Sequence, residues 1–169
     1  KALHTSQCPL LALGAGVRGF ENQARKLADL LGIPIVVTWG ARDLFPDAIG
    51  AFGTHGTKAA NLAVQNCDWL LTIGTRLDTK ATGFPEKGFA PKAERFMVDS
   101  DASEIAKFSR IGLHIEGIVK DAGEFLDTVI HAVEGVLQHD GSFPYFTEWR
   151  IQCKAWQLAY PASPAKPYE

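Results

Sequence analysis

Short apolar runs alternate with longer amphipathic stretches along the chain. Pro9 to Leu13 is an uninterrupted apolar run ending at Gly14, the pattern of a buried strand. Phe20, Ala24, Leu27, Ala28 and Leu31 then recur at helical spacing, and Gly32 closes that helix as a C-cap. Ile33 to Thr38 reads as the next strand, with Pro34 tolerated near its start. Residues 40–57 mix glycines, Pro46 and apolar residues without a period, which predicts a long loop of the kind that carries function. Thr57 to Asn66 reads as a helix with a small apolar face of Ala59, Ala60, Leu62 and Ala63. Trp69 to Ile73 is a third strand, followed by the turn Gly74-Thr75-Arg76. A loop through Gly83-Phe84-Pro85 and Ala90-Pro91 leads to a fourth strand, Arg95 to Val98.

Asp101-Ala102-Ser103-Glu104 has the form of a helix start, Asp101 capping and Glu104 reaching back to it. A short strand from Ile115 to Val119 precedes a helix from Ala122 to Gln138 that should bury Phe125, Val129, Val133 and Val136. Strands separated by helices in this rhythm predict βαβ units. With right-handed crossovers they build an α/β, doubly wound, mostly parallel sheet with helices on both faces, a Rossmann-like architecture.

The character changes after Gly141. Phe146, Trp149, Cys153, Trp156 and Tyr160 fall on one helical stripe, and Pro161, Pro164 and Pro167 follow. We therefore divide the chain into a central α/β domain, residues 1–140, and an aromatic helix with a Pro-rich linker, residues 141–169, leading toward a further C-terminal domain. The alternative is that this helix packs on the domain's own sheet. The chain opens without methionine and enters its first strand within ten residues, as expected for a segment of something longer. It contains no internal repeat.

Composition narrows the classes. With 169 residues and 46% hydrophobic positions the chain can bury a core, and disorder is excluded. Lys and Arg number 17 against 19 Asp and Glu, a net charge of −2. That balance argues against a basic nucleic-acid face and against a polybasic membrane patch. No apolar run approaches the ~20 residues that span a bilayer, and Lys1-Ala2-Leu3-His4 opens no secretory signal. Cys8, Cys67 and Cys153 form no C-x-x-C pair and read as reduced thiols of a cytoplasmic protein.

The sharpest chemical signal is Gly14-Ala15-Gly16-Val17-Arg18-Gly19, set between a strand and a helix. Glycines there let the backbone turn tightly and approach a ligand, and a helix N-terminus offers donors to phosphate. Arg18, placed in the first helical turn, could pair with a phosphate or stay solvated. The nicotinamide fingerprint also needs an acidic residue ending the second strand, and that strand ends in Thr38-Trp39. A simple nicotinamide dehydrogenase is therefore disfavoured. Thr54-His55-Gly56-Thr57 places an imidazole before the next helix, where a structural role competes with a functional one. Gly74 to Asp78 and Val98-Asp99-Ser100-Asp101 follow the third and fourth strands, and in open parallel sheets ligands bind beyond those carboxyl ends. No G-x-S-x-G elbow and no metal-ligand spacing of the histidines is present. The module reads as one that binds rather than catalyses.

Taken in order, these motifs resemble the central domain of the thiamine-diphosphate-dependent enzymes of the acetolactate synthase type. The residues that carry the likeness are Gly14-Ala15-Gly16-Val17-Arg18, Phe52-Gly53-Thr54-His55-Gly56-Thr57 with Ala60-Asn61, and Ala63-Val64-Gln65-Asn66-Cys67-Asp68. Ile73-Gly74-Thr75-Arg76-Leu77-Asp78, Thr82-Gly83, Phe89-Ala90-Pro91-Lys92-Ala93, Val98-Asp99-Ser100-Asp101 with Glu104-Ile105, and Asp121-Ala122 complete it, over about residues 8–135.

The resemblance implies a three-domain parent in which this is the middle unit. In flavin-dependent members that domain holds the adenine dinucleotide half of FAD; in an oxalyl-CoA-cleaving member it holds ADP; in others it is a spacer. By resemblance the site would be lined by Gly14, Gly16, Arg18, His55, Gly56, Asn61, Gly74, Arg76, Asp78, Asp99, Asp101 and Asp121. This chain reads Arg76-Leu77-Asp78-Thr79-Lys80 where many flavin-dependent relatives read Arg-Phe-Asp-Asp-Arg, and Lys120 stands where they favour glycine. Thiamine diphosphate and Mg2+ would be held by the parent's other domains, because the Gly-Asp-Gly motif is not matched by His139-Asp140-Gly141. The expected parent is a carboligase or decarboxylase acting on 2-oxo acids such as pyruvate, assembled as a homodimer or homotetramer. Two other readings are a stand-alone adenine-dinucleotide module like an electron-transfer flavoprotein, and a spacer that binds no nucleotide.

Overall fold

In the computed structural model, which describes residues 2–140 and 146–162, five strands pair in parallel to form one sheet. They are β1 (Pro9–Leu13), β2 (Ile35–Val37), β3 (Trp69–Ile73), β4 (Glu94–Asp99) and β5 (Glu116–Val119), in the spatial order β2-β1-β3-β4-β5. The helices are α1 (Ala2–Thr5), α2 (Glu21–Leu31), α3 (Lys58–Asn66), α4 (Thr79–Thr82), α5 (Ala102–Ile111), α6 (Ala122–Asp140) and α7 (Thr147–Ala159). The order reverses at β1, so right-handed crossovers put α2 and α3 on opposite faces. α2 packs against α6, and α3 packs against α7. Every residue of β1 is buried, as a strand covered on both faces requires, which is why it reads as an unbroken apolar run. The doubly wound architecture is the one expected.

The differences from expectation lie at element ends. β2 is shorter than the run 33–38 because Ile33 belongs to the closure of α2. Gly32 adopts a left-handed φ of 67°, and the Ile33 amide donates to the Ala28 carbonyl at 3.0 Å, a Schellman-type stop. Ahead of α2 the chain makes a separate 3-10 turn, Ala15–Val17. Gly19 then takes a φ of 89°, its amide bonded to the Glu21 carboxylate, and the α-helix starts only at Glu21. Arg18 therefore precedes the helix rather than lying in its first turn.

The loop 40–57 is irregular but anchored. Val37 donates to the Gly50 carbonyl and Phe52 to the Val37 carbonyl, so part of the loop runs along β2 and covers the sheet's edge. On α6, Leu126, Ile130 and Val133 are buried, while Phe125 and Val129 are half-buried against the core. Val136, expected inside, is half-exposed, because the inward face is centred one position over. The capping box expected at α5 is also incomplete. Asp101 caps the Ser103 amide at 2.8 Å, but Glu104 turns to the Lys107 ammonium at 2.6 Å, and the Asp101 amide is taken by Asp99.

The aromatic stripe lies on α7, which is part of the folded body among the described residues. Phe146, Trp149 and Cys153 are buried, and the Trp149 indole donates to the Pro9 carbonyl at 2.8 Å. Trp156 meets Trp149 edge to face at 5.7 Å. Pro161 is exposed; Pro164 and Pro167 lie outside the described residues. All three cysteines are free, and burial pushes the thiols of Cys67 and Cys153 up to about 12. Among the described residues no helix is long and apolar enough to cross a membrane.

If α7 is integral, Trp149→Phe leaves the Pro9 carbonyl without its donor and costs about 1–2 kcal/mol in urea unfolding, with an unchanged slope. A value near zero would detach α7 from the fold.

Candidate functional site

The carboxyl ends of the strands share one rim, and two turns on that rim touch backbone to backbone. The Gly14 amide donates to the Ile73 carbonyl at 3.0 Å and the Gly16 amide to the Gly74 carbonyl at 2.9 Å. A Cβ on Gly16 would come within 2.7 Å of the Gly74 Cα. Gly74 itself has a φ of 63°, the left-handed region that glycine occupies without strain. The glycines of the first turn thus bring β1 and β3 together, and two of their amides are committed to the sheet.

Beyond Gly74 the chain is held in a second unusual conformation. Leu77 is buried with a φ of 47°, and its amide bonds the Thr75 hydroxyl at 3.2 Å. A non-glycine residue in this region stores strain, and such residues gather at binding sites. On either side of it stand Arg76 and Asp78. Arg76 is 81% exposed and 3.9 Å from the Glu104 carboxylate, while Lys107 holds the Arg76 carbonyl.

Four aspartates sit at the ends of β3, β4 and β5, each spending one oxygen on backbone. Asp78 Oδ1 caps α4 through the Ala81 amide at 3.0 Å. Asp99 Oδ1 accepts from the Asp101 amide at 2.9 Å, and Asp101 Oδ1 caps α5. Asp121 Oδ1 accepts from the Gly123 and Glu124 amides at 2.8 and 3.2 Å. Among the described residues, the Oδ2 atoms of Asp78, Asp99 and Asp121 have no hydrogen-bond partner, while the Asp101 carboxylate also meets the Ser103 side chain. The Ser103 hydrogen bonds, helped by the Arg76 charge, hold the Asp101 carboxyl below the usual range.

These groups line a cleft of about 810 Å³ that runs along the rim. Of the residues singled out in the sequence, Gly16, His55, Gly74, Arg76, Asp78, Asp99, Asp101 and Asp121 line it. Gly14, Arg18, Gly56 and Asn61 do not. Gly14 lies behind the wall, where a Cβ would meet the Gly74 carbonyl oxygen at 2.2 Å. Arg18 pairs with Asp43 at 3.1 Å on the surface, both side chains more than half exposed. Gly56 fits closely over the Ala51 carbonyl. Asn61 braces the His55 loop, accepting from the Gly53 amide at 2.8 Å and donating to its carbonyl at 2.9 Å.

The cleft also includes Trp39, Lys80, Glu104 and Lys120, which were not among the residues expected to line it. Trp39 had a usable signal, lying two residues past the end of β2 on the ligand-bearing rim. The lysines had none beyond their places after β3 and β5. Among the described residues no group of three His, Cys, Asp or Glu side chains could hold a metal ion.

Residues 1–129 match the family described as thiamine pyrophosphate enzyme, central domain. The chain is 40% identical over 171 residues to an acetolactate synthase of Mycobacterium avium, covering 96% of this chain and 26% of that protein. It is 31% identical over 165 residues to a chloroplastic acetolactate synthase of Nicotiana tabacum, 95% of this chain and 24% of that one. Against a probable acetolactate synthase large subunit of Methanocaldococcus jannaschii it is 36% identical over 140 residues, 79% of this chain and 24% of the relative. The chain thus spans about a quarter of the length of the curated relatives it matches.

Two outcomes follow from this geometry. Gly74→Ala forces a left-handed alanine into the Gly16 backbone and should cost about 2–5 kcal/mol in chemical unfolding. For Asp101 the folded-state affinity for protons is lowered, so its contribution is present above its unfolded pKa and lost as pH falls. Asp101→Asn keeps the cap and should flatten the loss of stability between about pH 4 and pH 2. An unchanged acid limb would contradict the arrangement.

Proposed function

Since the chain belongs to the thiamine pyrophosphate enzyme central-domain family, we propose that it is the middle domain of an acetolactate synthase-like carboligase or decarboxylase acting on 2-oxo acids such as pyruvate. Thiamine diphosphate, held with Mg2+ by the parent's other domains, supplies the nucleophilic carbon for that chemistry. This domain contributes a nucleotide site of the ADP or FAD type and contacts with its neighbours. Residues 141–169 carry the chain toward the following domain, and the parent is a cytoplasmic homodimer or homotetramer. A quarter-length match to enzymes of this name supports the parentage.

The observation that carries the nucleotide reading is the set of half-used carboxylates at the strand ends. Asp99 and Asp121 offer Oδ2 acceptors to ribose hydroxyls or an adenine amino group, with Asp101 between them. Beside them Arg76 gives an exposed guanidinium that can fork onto a diphosphate, with Lys80 and Lys120 adding charge. Phosphate binding then falls to these cations, because the glycine-turn amides of Gly14 and Gly16 are already bonded to the Ile73 and Gly74 carbonyls. The residues present fit an adenine nucleotide laid along the rim.

In the full-length protein, ADP or FAD at 100 times its dissociation constant should stabilise by about 2.7 kcal/mol. Pyruvate with thiamine diphosphate and Mg2+ should release CO2 and yield a hydroxy-oxo acid. No thermal shift with either nucleotide would leave a spacer; no turnover of any 2-oxo acid would overturn the parentage of function.

A further inference from the structure

The two faces of the sheet are unequally covered. The crossovers that put α3 on one face put α5 there too, and α7 packs on α3. Among the described residues, the other face carries α2 and α6 and a third element, α1, a helix of four residues that spans only about 6 Å. Beside α1 lies an open groove of about 190 Å³, larger than the ~150 Å³ that holds a benzene ring. Trp69, Phe96 and Ile118 of the sheet form its floor, and Leu31 of α2 and Phe125 of α6 stand in its walls.

Every described residue that lines the groove is aliphatic or aromatic. A charged or hydrogen-bonding ligand would find no partner there, so the occupant is apolar. Trp69, Phe96, Ile118 and Phe125 are only half-buried, although a parallel sheet in an α/β domain is covered on both faces. Large apolar side chains left half-wet around one gap mark a surface that another segment covers.

Leu3 gives the direction from which that cover comes. It is the residue of α1 that lines the groove, and the Ser6 amide donates to its carbonyl at 3.2 Å as the chain turns toward β1. On a helix continued in front of α1, side chains three, four and seven positions ahead of Leu3 share its face and pass over the groove. The chain spans about a quarter of its relatives' length, and a parent of that size has sequence to supply those positions.

Resting on the middle-domain reading above, we propose that this groove seats the stretch of the parent chain immediately ahead of the domain. That stretch extends α1 upstream as an amphipathic helix, and its apolar side chains fill the gap between α2, α6 and the sheet. It straps the connection from the preceding domain to the α2–α6 face, apart from the rim that carries the nucleotide site.

Photo-crosslinking in the full-length protein tests this. Phe125→p-benzoylphenylalanine puts a benzophenone in the groove wall, and irradiation joins it to whatever lies against it. Mass spectrometry should place an intramolecular crosslink within about three helical turns ahead of α1. Phe96→p-benzoylphenylalanine, on the floor, should reach the same stretch and keeps the test decisive if the first variant does not fold. A crosslink to a second copy, to a small molecule or to a segment distant in sequence would overturn the strap and spare the middle-domain reading. Crosslinks confined to the described residues in both variants would do the same. A full-length protein with too little chain ahead of α1 for another domain would overturn that reading and the strap with it.

Discussion

Everything at the strand ends depends on the backbone contact between the turns after β1 and β3. Gly16 and Gly74 approach so closely that neither tolerates a Cβ. This contact lies at β1 and β3, where the strand order changes direction and crossovers leave a crevice between helices of opposite faces. Glycine here serves the sheet first. The phosphate-cradling role usually read into such a turn is displaced, since its amides bond the carbonyls of Ile73 and Gly74.

Recognition is therefore shifted onto side chains, and those are positioned by the same bonds that start the helices. Asp78, Asp101 and Asp121 each cap the helix that follows a strand, at α4, α5 and α6. Capping holds each carboxylate by one oxygen, and at Asp78 and Asp121 the other has no partner among the described residues. Binding atoms held this way lose little further freedom when a ligand arrives. Folding and recognition here use the two oxygens of the same groups.

Much of this was legible in the sequence, for physical reasons that differ by element. β1 and β3 are covered on both faces, so their apolar runs could not be mistaken. The strand-end aspartates were legible because a rim position and a cap position coincide in parallel α/β sheets. Arg18 was not, because its partner Asp43 lies in a loop whose path no local pattern reveals. Asn61 and Gly56 sit in a motif that pointed to the ligand, yet they act one step back, holding the loop that carries His55. Trp39 escaped notice because an aromatic residue after a strand is ambiguous until its ring is seen uncovered. The aromatic helix α7 offered two readings, and its indole bond to Pro9 ties the described part of it to the sheet.

The central claim is that this domain presents the rim of its sheet to a nucleotide. A crystal structure of the full-length protein with ADP bound tests it most directly. The account predicts the ribose against Asp99, Asp101 and Asp121 with the diphosphate on Arg76. A nucleotide seated at the opposite edge of the strands, or on another domain with this rim filled by protein side chains, would contradict it.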